Sequence, residues 1–307
     1  MKQTLLMAVA SAACFLGVDC LWAGERLRVV TTLSAYADIA KALGGESLEV
    51  TFIAPPRFDP HFIEPRPSDV YVLKKADLFI HSGLDLEVWR EPLVDAAARA
   101  DLRWGGGRQL DLSVGISLLQ VPAHQPSRAE RDIHVYGNPH YWLDPRNGLI
   151  IAEEIAAKLS EIDPGRADIY QNGLQNFSLR LREKIGQWLL RVRPYQGREL
   201  VGYHNGWIYF TTFAGVKMDL FLEPKPGIPP SPKHLETVLS YINERKVPAI
   251  VQATFDPKSS AERLSAQTGV KIVWLCSNPG ETPQCSDYIS MFDYNIEQLA
   301  EAFSTLP

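Results

Sequence analysis

The sequence predicts an α/β protein of two lobes, each a mostly parallel sheet flanked by helices, joined by one long backbone helix. The first observation is that β-rich runs alternate with helical patterns in both halves of the chain. The second is a helical pattern that opens at Asp163-Pro164 and continues for about thirty residues, until Pro194. Such a helix spans about 45 Å, enough to cross a domain. We therefore expect it to connect the lobes.

Residues 1–23 have the pattern of a cleaved signal peptide. Lys2 precedes an apolar run that is too short for a bilayer-spanning anchor, and small residues follow near Ala23. A lipoprotein signal is disfavoured because Asp19 precedes Cys20, where a small residue is needed. The net charge of −5 argues against a nucleic-acid binder. We expect a periplasmic protein, secreted and monomeric.

The first lobe is predicted to occupy residues 24–162. Its β-rich runs alternate with helical patterns that begin near Ser34, Ser68 and Leu86. The predicted strands are Arg26–Thr32, Leu48–Ile53, Ala76–His81 and Val114–Val121. Residues 123–137 are polar and charged, which favours a surface loop carrying His124 and His134.

The linking helix is predicted at 163–194 and the second lobe at 195–307. The second lobe repeats the alternation of strand and helix and closes with a helix from about Asp287 to Phe303. Its predicted strands are Glu199–Tyr203, Lys217–Leu222, Ala249–Ala253 and Lys271–Leu275.

After signal cleavage the chain keeps two cysteines, Cys276 and Cys285. A close pair in an oxidising compartment favours a disulfide around a small loop. The alternative is a thiolate metal site, but a pair with this spacing and no second pair fits zinc-finger patterns poorly.

One histidine-containing motif occurs twice. Asp59-Pro60-His61-Phe62-Ile63-Glu64-Pro65-Arg66 is matched by Asn138-Pro139-His140-Tyr141-Trp142-Leu143-Asp144-Pro145-Arg146. Proline stiffens the backbone before each histidine, and an acid followed by proline is a helix-start signal. Each histidine is therefore predicted on a short rigid loop ahead of a helix, which suits a pre-positioned metal ligand.

A third candidate ligand, His204, ends the first predicted strand of the second lobe. In open α/β sheets ligands collect beyond the carboxyl ends of strands, so His61, His140 and His204 are expected to converge in the cleft between the lobes. Neutral imidazole suits Zn, Cu, Fe and Ni. Each of these histidines could instead be an ordinary loop residue. We expect His81 to be structural and His234 to lie at the surface.

Further motifs make the mature chain resemble the periplasmic metal-binding proteins of zinc/manganese ABC importers, the substrate-binding-protein group with a single long helix between lobes. The most specific motifs are Asp59-Pro60-His61, Ser68-Asp69-Val70, Ala76-Asp77-Leu78, Gly83-Leu84-Asp85-Leu86-Glu87, His140-Tyr141-Trp142-Leu143-Asp144-Pro145 and Pro230-Ser231-Pro232. The resemblance implies that His61, His140 and His204 bind the metal. Manganese-type members carry Glu at the third position, whereas zinc-type members carry His.

The fourth ligand departs from the family pattern. Many members supply an Asp just before the closing helix, where this chain has Ser286, with Asp287 one residue later. We predict Asp287 as the ligand, with water or another acid such as Glu223 as alternatives. The long His- and Asp-rich loop of many zinc members is absent, and residues 123–137 occupy its place.

The resemblance implies capture of Zn²⁺ in the periplasm and delivery to the permease of an ABC transporter, with Zn²⁺ as transported ligand and no catalysis. The alternatives are a manganese, iron or metal-chelate carrier on the same scaffold, or a periplasmic zinc hydrolase. A hydrolase would need a general base, for which Asp59 or Glu64 is available, but the chain has no His-Glu-x-x-His helix. We also expect zinc affinity to fall steeply below about pH 6.

Overall fold

A computed structural model describes residues 25–123 and 134–304. The predicted signal peptide, residues 1–23, lies outside the described residues. The first lobe contains a parallel sheet with strand order β2-β1-β3-β4, flanked by helices. Its elements are β1 Leu27–Thr31, α1 Ser34–Gly44, β2 Leu48–Phe52, α2 Pro67–Lys74, β3 Leu78–His81, α3 Arg90–Ala97, β4 Gln109–Asp111 and α4 Pro145–Ile162.

The second lobe repeats this topology after the long helix, with a parallel sheet of order β6-β5-β7-β8. The predicted α/β architecture of two mostly parallel sheets is therefore confirmed. The elements are α5 Ala167–Val192, β5 Glu199–Gly202, α6 Ile208–Ala214, β6 Lys217–Phe221, α7 Pro232–Arg245, β7 Ala249–Ala253, α8 Ser259–Thr268, β8 Lys271–Leu275 and α9 Tyr288–Ser304.

The predicted strand at 114–121 is wrong. The fourth strand of the first sheet is instead β4, which pairs in parallel with β3, and residues 114–121 form turns and irregular chain. Val114 and Val121 are 80% and 57% exposed. A strand of this sheet would have these side chains covered by helices. The β-branched residues of this run favour a strand locally, but β propensity depends on packing against neighbouring strands, which this run does not have.

The long helix is α5, preceded by a short 3₁₀ turn at Pro164–Arg166. It buries one stripe of side chains: Tyr170, Phe177, Leu181, Trp188 and Val192. This stripe packs against α1 and α4 of the first lobe and against α9 at the end of the chain. A Cβ at Gly173 would clash with the backbone of Leu43, so glycine permits the close approach of α5 to α1. The helix thus contacts elements from both halves of the protein.

Buried hydrogen bonds also join the lobes directly. Trp142 Nε1 donates to the carbonyl of Ser277 at 2.7 Å, and the Tyr288 hydroxyl donates to the carbonyl of Trp142 at 2.7 Å. Ser34 Oγ donates to Pro279 O at 2.8 Å. Since one apolar core contains side chains of both halves, the lobes are packed on each other beside the second histidine loop. The lobe boundaries at 162 and 195 stay predictions.

Cys276 and Cys285, both buried, form a disulfide that closes the loop after β8. Among the described helices, none is long and apolar enough to cross a membrane.

Candidate metal centre

Three histidines from different parts of the chain converge between the lobes. One ring nitrogen from each of His61, His140 and His204 lies within 4.8 Å of those of the other two. Their ring centroids are 5.0 Å apart for His61–His140, 5.4 Å for His61–His204 and 5.3 Å for His140–His204. Across residues 25–123 and 134–304, no other group of three or more His, Cys, Asp or Glu side chains meets this distance.

His61 is held by the turn that the first motif forms. Pro60–Phe62 is a single 3₁₀ turn after β2, and the carboxylate of Asp59 accepts hydrogen bonds from both the His61 amide, at 2.9 Å, and Nδ1, at 2.6 Å. The indole of Trp89 donates to Pro60 O at 2.7 Å. Both the backbone and the ring of His61 are therefore fixed, with only 10% of the side chain exposed.

His140 repeats this arrangement with an amide in place of the acid. Asn138 Oδ1 accepts from the His140 amide at 3.1 Å and from Nδ1 at 3.0 Å. Asp144 then caps α4 by accepting from Arg146 N at 2.8 Å, as the acid-proline signal predicted. The sequence duplication is thus also a structural one, in which the residue two positions before each histidine orients the ring.

His204 follows β5 and brings in the second lobe. Its Nδ1 donates to Glu223 Oε2 at 2.7 Å, while Glu223 Oε1 accepts from Gly227 N at 2.6 Å. His204 Nε2 is buried and has no hydrogen-bond partner. Glu223, the alternative fourth ligand, therefore contacts the other nitrogen of the ring and orients His204.

The acceptors fix the tautomers of all three rings. A carboxylate or amide oxygen lies against each Nδ1, so each ring, when neutral, carries its proton there and leaves Nε2 as the nitrogen available to a cation. This is the arrangement of metal-binding histidines, in which the second ring nitrogen donates to an oxygen that sets tautomer and orientation. The site needs little rearrangement to accept a cation.

Electrostatics favour neutral imidazole at two of the three positions. Burial lowers the pKa of His61 and lowers that of His140 well below its usual value. At His204 burial also opposes the charged form, but the Glu223 carboxylate outweighs it and raises the pKa. His61 and His140 are therefore ready to bind a metal at neutral pH, whereas protons compete most strongly at His204.

Asp287, the predicted fourth ligand, is not brought to the triad. It lies at the start of α9, where its Oδ1 accepts from Ser290 N at 2.8 Å and its amide donates to Ser290 Oγ at 2.9 Å. Asp256 instead lines the small cavity between the histidines. Burial raises the pKa of Asp256 to about 7, and its Oδ2 accepts from Ala253 N at 2.7 Å. Asp256 is not among the site residues predicted from the sequence, because it belongs to no histidine-containing motif.

His134 also approaches the triad, which the sequence analysis did not predict. Its Nε2 is 3.3 Å from His61 Nε2, and its Nδ1 is 2.7 Å from Asp85 Oδ1. A wider cleft lined by His134, His204 and Glu223 leads from this side toward solvent. His124 lies outside the described residues.

The remaining histidines have other partners. His81 is buried in the first lobe, where Nε2 contacts Gln109 Oε1 at 2.6 Å and Nδ1 accepts from Gly83 N at 3.1 Å. Nε2 of His234, in the first turn of α7, donates to Phe221 O at 2.8 Å.

A largely buried histidine triad between two α/β lobes that are packed around a long helix suits a metal-binding substrate-binding protein, and comparison with known proteins supports this class. The sequence is 27% identical over 309 residues to the manganese ABC transporter substrate-binding lipoprotein PsaA of Streptococcus anginosus, covering 97% of this chain and 96% of that protein. It is 26% identical over 289 residues to the iron-binding protein YfeA of Yersinia pestis, covering 91% of this chain and 87% of that protein.

The fold is also that of a solved ZnuA deletion mutant with zinc bound. The TM-score is 0.78 at 24% identity, covering 92% of this chain and all of the other. The family model described as "Zinc-uptake complex component A periplasmic" matches residues 29–302. The chain belongs to this family, whose members are metal-binding components of ABC importers and not enzymes.

Proposed function

We propose that this protein captures Zn²⁺ in the periplasm through His61, His140 and His204 and delivers it to the permease of an ABC transporter. The observation that supports the proposal is the convergence of three largely buried imidazoles, each held through Nδ1 so that Nε2 is the nitrogen available to a cation. Zn²⁺ binds imidazole nitrogen at about 2.0–2.1 Å and readily accepts such ligands.

The choice of zinc rests on the ligand chemistry. Mn²⁺ is a harder ion that suits carboxylate, carbonyl and water oxygen, whereas imidazole suits Zn²⁺. Within the described chain, the group that meets at the centre contains nitrogen ligands only. Relatives are named for manganese and for iron, and a related structure holds zinc, so kinship alone leaves the metal open.

The cellular setting rests on two further features. The first 23 residues have the pattern of a signal peptide. The disulfide between Cys276 and Cys285 is typical of an oxidising compartment. Because buried hydrogen bonds join the lobes beside the site, we expect uptake and release to involve local loop changes, with little hinge motion.

The test is a competition titration of metal-stripped protein with Zn²⁺ and Mn²⁺ against a chromophoric chelator. We expect zinc to bind in the nanomolar range or tighter, manganese far more weakly, and His204→Ala to weaken zinc binding severely. The matched control is His234→Ala, which removes an imidazole outside the triad and is expected to leave the zinc Kd unchanged. Comparable affinity for the two metals, or an indifferent His204→Ala, would refute zinc selectivity through this triad.

A further inference from the structure

We infer that His134 is the fourth ligand of the zinc site, which makes the site an all-imidazole one. The inference rests on the proposed zinc-binding function and adds a ligand that lies outside the duplicated motif. His134 is separated in sequence from the turn of His61 and from the second lobe. Its ring contacts are nevertheless made within the cluster, with centroid distances of 5.3 Å to His61 and 5.9 Å to His140.

Two carboxylates orient the rings of His61 and His134 in the same way. Asp59 lies 2.6 Å from Nδ1 of His61, and Asp85 lies 2.7 Å from Nδ1 of His134. A carboxylate accepts only, so each Nδ1 must carry the proton. The Nε2 atoms of the two rings then lie 3.3 Å apart, so the nitrogens available to a cation lie next to each other.

The separation of the two nitrogens fits a shared zinc ion. In a tetrahedral site with Zn–N bonds of about 2.0–2.1 Å, neighbouring ligand nitrogens are about 3.3–3.4 Å apart. The observed Nε2–Nε2 distance is 3.3 Å. The pair therefore has the spacing of two ligands on one tetrahedral ion. His134 lies outside the group of three whose ligand atoms are all within 4.8 Å of one another, so its ring must shift toward His140 and His204 to complete the site.

Asp85 positions His134 in the same way that Asp59 positions His61. One oxygen of Asp85 accepts from the ring, and the other accepts from the backbone amide of Val135 at 3.0 Å. The His134 and Asp85 side chains are 17% and 23% exposed, so the pair is largely shielded from water. With this pair, all four rings share one pattern: an oxygen of Asp59, Asn138, Glu223 or Asp85 holds Nδ1.

The competing acids have other partners. Asp287 is engaged with Ser290 at the start of α9, and Asp256 accepts from the backbone of Ala253. Four neutral nitrogen ligands would favour Zn²⁺ over the oxygen-preferring Mn²⁺ more strongly than three nitrogens and a carboxylate. His134 is thus a specificity-determining residue as well as a ligand.

The experiment compares zinc and cobalt binding by the full mature chain and four variants. The variants are His134→Ala, Asp85→Asn, Asp287→Asn and the control His234→Ala. Zinc Kd values come from chelator competition, and the visible absorption of the Co²⁺-loaded protein reports the ligand set independently of affinity. Thermal unfolding of each metal-free variant checks that it folds.

We expect His134→Ala to weaken zinc binding by about 10–100-fold. The Co²⁺ spectrum should also change, because a water oxygen replaces a nitrogen ligand. Asp85→Asn is expected to weaken binding by about 10-fold, the lower end of the effects found for outer-shell partners. Asp287→Asn and His234→Ala are expected to match the unsubstituted protein in both measurements.

The outcomes separate the two proposals. If the unsubstituted protein binds zinc tightly while His134→Ala has the same Kd and the same Co²⁺ spectrum, the fourth-ligand inference is overturned and the zinc function stands. Loss of affinity in Asp287→Asn, with His134→Ala unaffected, would assign the position to Asp287. Failure of the unsubstituted protein to bind zinc would instead refute the proposed function itself.

Discussion

Replacing Glu223 with glutamine removes a negative charge behind the metal site while keeping the shape of the side chain. Glu223 accepts from Nδ1 of His204 at 2.7 Å and from Gly227 N at 2.6 Å. The glutamine side-chain oxygen can still accept one of these bonds. The substitution therefore reduces the basicity of His204 without removing a ligand.

The size of the effect follows from the geometry. A Zn–N bond of about 2 Å, the width of the imidazole and the 2.7 Å hydrogen bond place the carboxylate about 6–7 Å from the ion. At an effective dielectric constant of about 20, the attraction between a dication and this charge is about 5 kcal/mol, an upper limit on the loss. The side chains of Glu223 and His204 are only 11% and 17% exposed, so solvent screens the pair little. We expect a loss of about 10–100-fold in zinc affinity, or about 1.4–2.7 kcal/mol.

The assay is chelator competition at pH 8, where proton competition is smallest. The matched control is Glu262→Gln, which removes the same charge from an exposed position in the first turn of α8 and is expected to leave the zinc Kd unchanged. Equal Kd values for Glu223→Gln and the unsubstituted protein would show that His204 is not a ligand or that its carboxylate partner does not act on the metal.

Three further results are expected. Burial raises the pKa of Glu87 to about 7, so the metal-free protein should lose up to about 3 kcal/mol of stability as pH rises from about 4.5 to 7; chemical denaturation of Glu87→Gln should show a smaller loss, and identical pH profiles would contradict this. Replacing both Cys276 and Cys285 with serine opens a loop with a sequence separation of 9 and should lower the free energy of unfolding by about 2–3 kcal/mol; an unchanged free energy of unfolding in chemical denaturation would contradict this. Zinc affinity should fall as pH drops through the raised pKa of His204, and Glu223→Gln should move that fall to lower pH; an unmoved onset in titrations from pH 5 to 8 would count against this cause.

Much of the fold could be predicted from the sequence because the strand and helix patterns of single segments agree with the α/β alternation of the whole chain. Strand β7 is a fully buried and mostly apolar run, and the predicted strand Ala249–Ala253 coincides with it. Local strand propensity gave the wrong prediction where pairing and packing determine which residues form a strand. Residues 114–121 contain β-branched side chains, but Val114 and Val121 at the two ends are exposed, whereas the short strand β4 is defined by its pairing with β3.

The site was predicted where the sequence contains a rigid local motif. The Asn/Asp-Pro-His pattern marked His61 and His140, since the residue two positions before each histidine both shapes the turn and holds the ring. His134 has no such motif. Its position depends on Asp85, 49 residues earlier in the chain, and a contact of that separation leaves no local pattern.

The central claim is that one zinc ion binds at the meeting point of the histidines between the lobes. Crystals of the mature protein grown with one equivalent of zinc, measured on both sides of the zinc absorption edge, would locate the ion directly. The account predicts one strong anomalous peak within bonding distance of Nε2 of His61, His140 and His204. A peak at Asp287 and away from the triad, or no ordered zinc in the cleft, would contradict it.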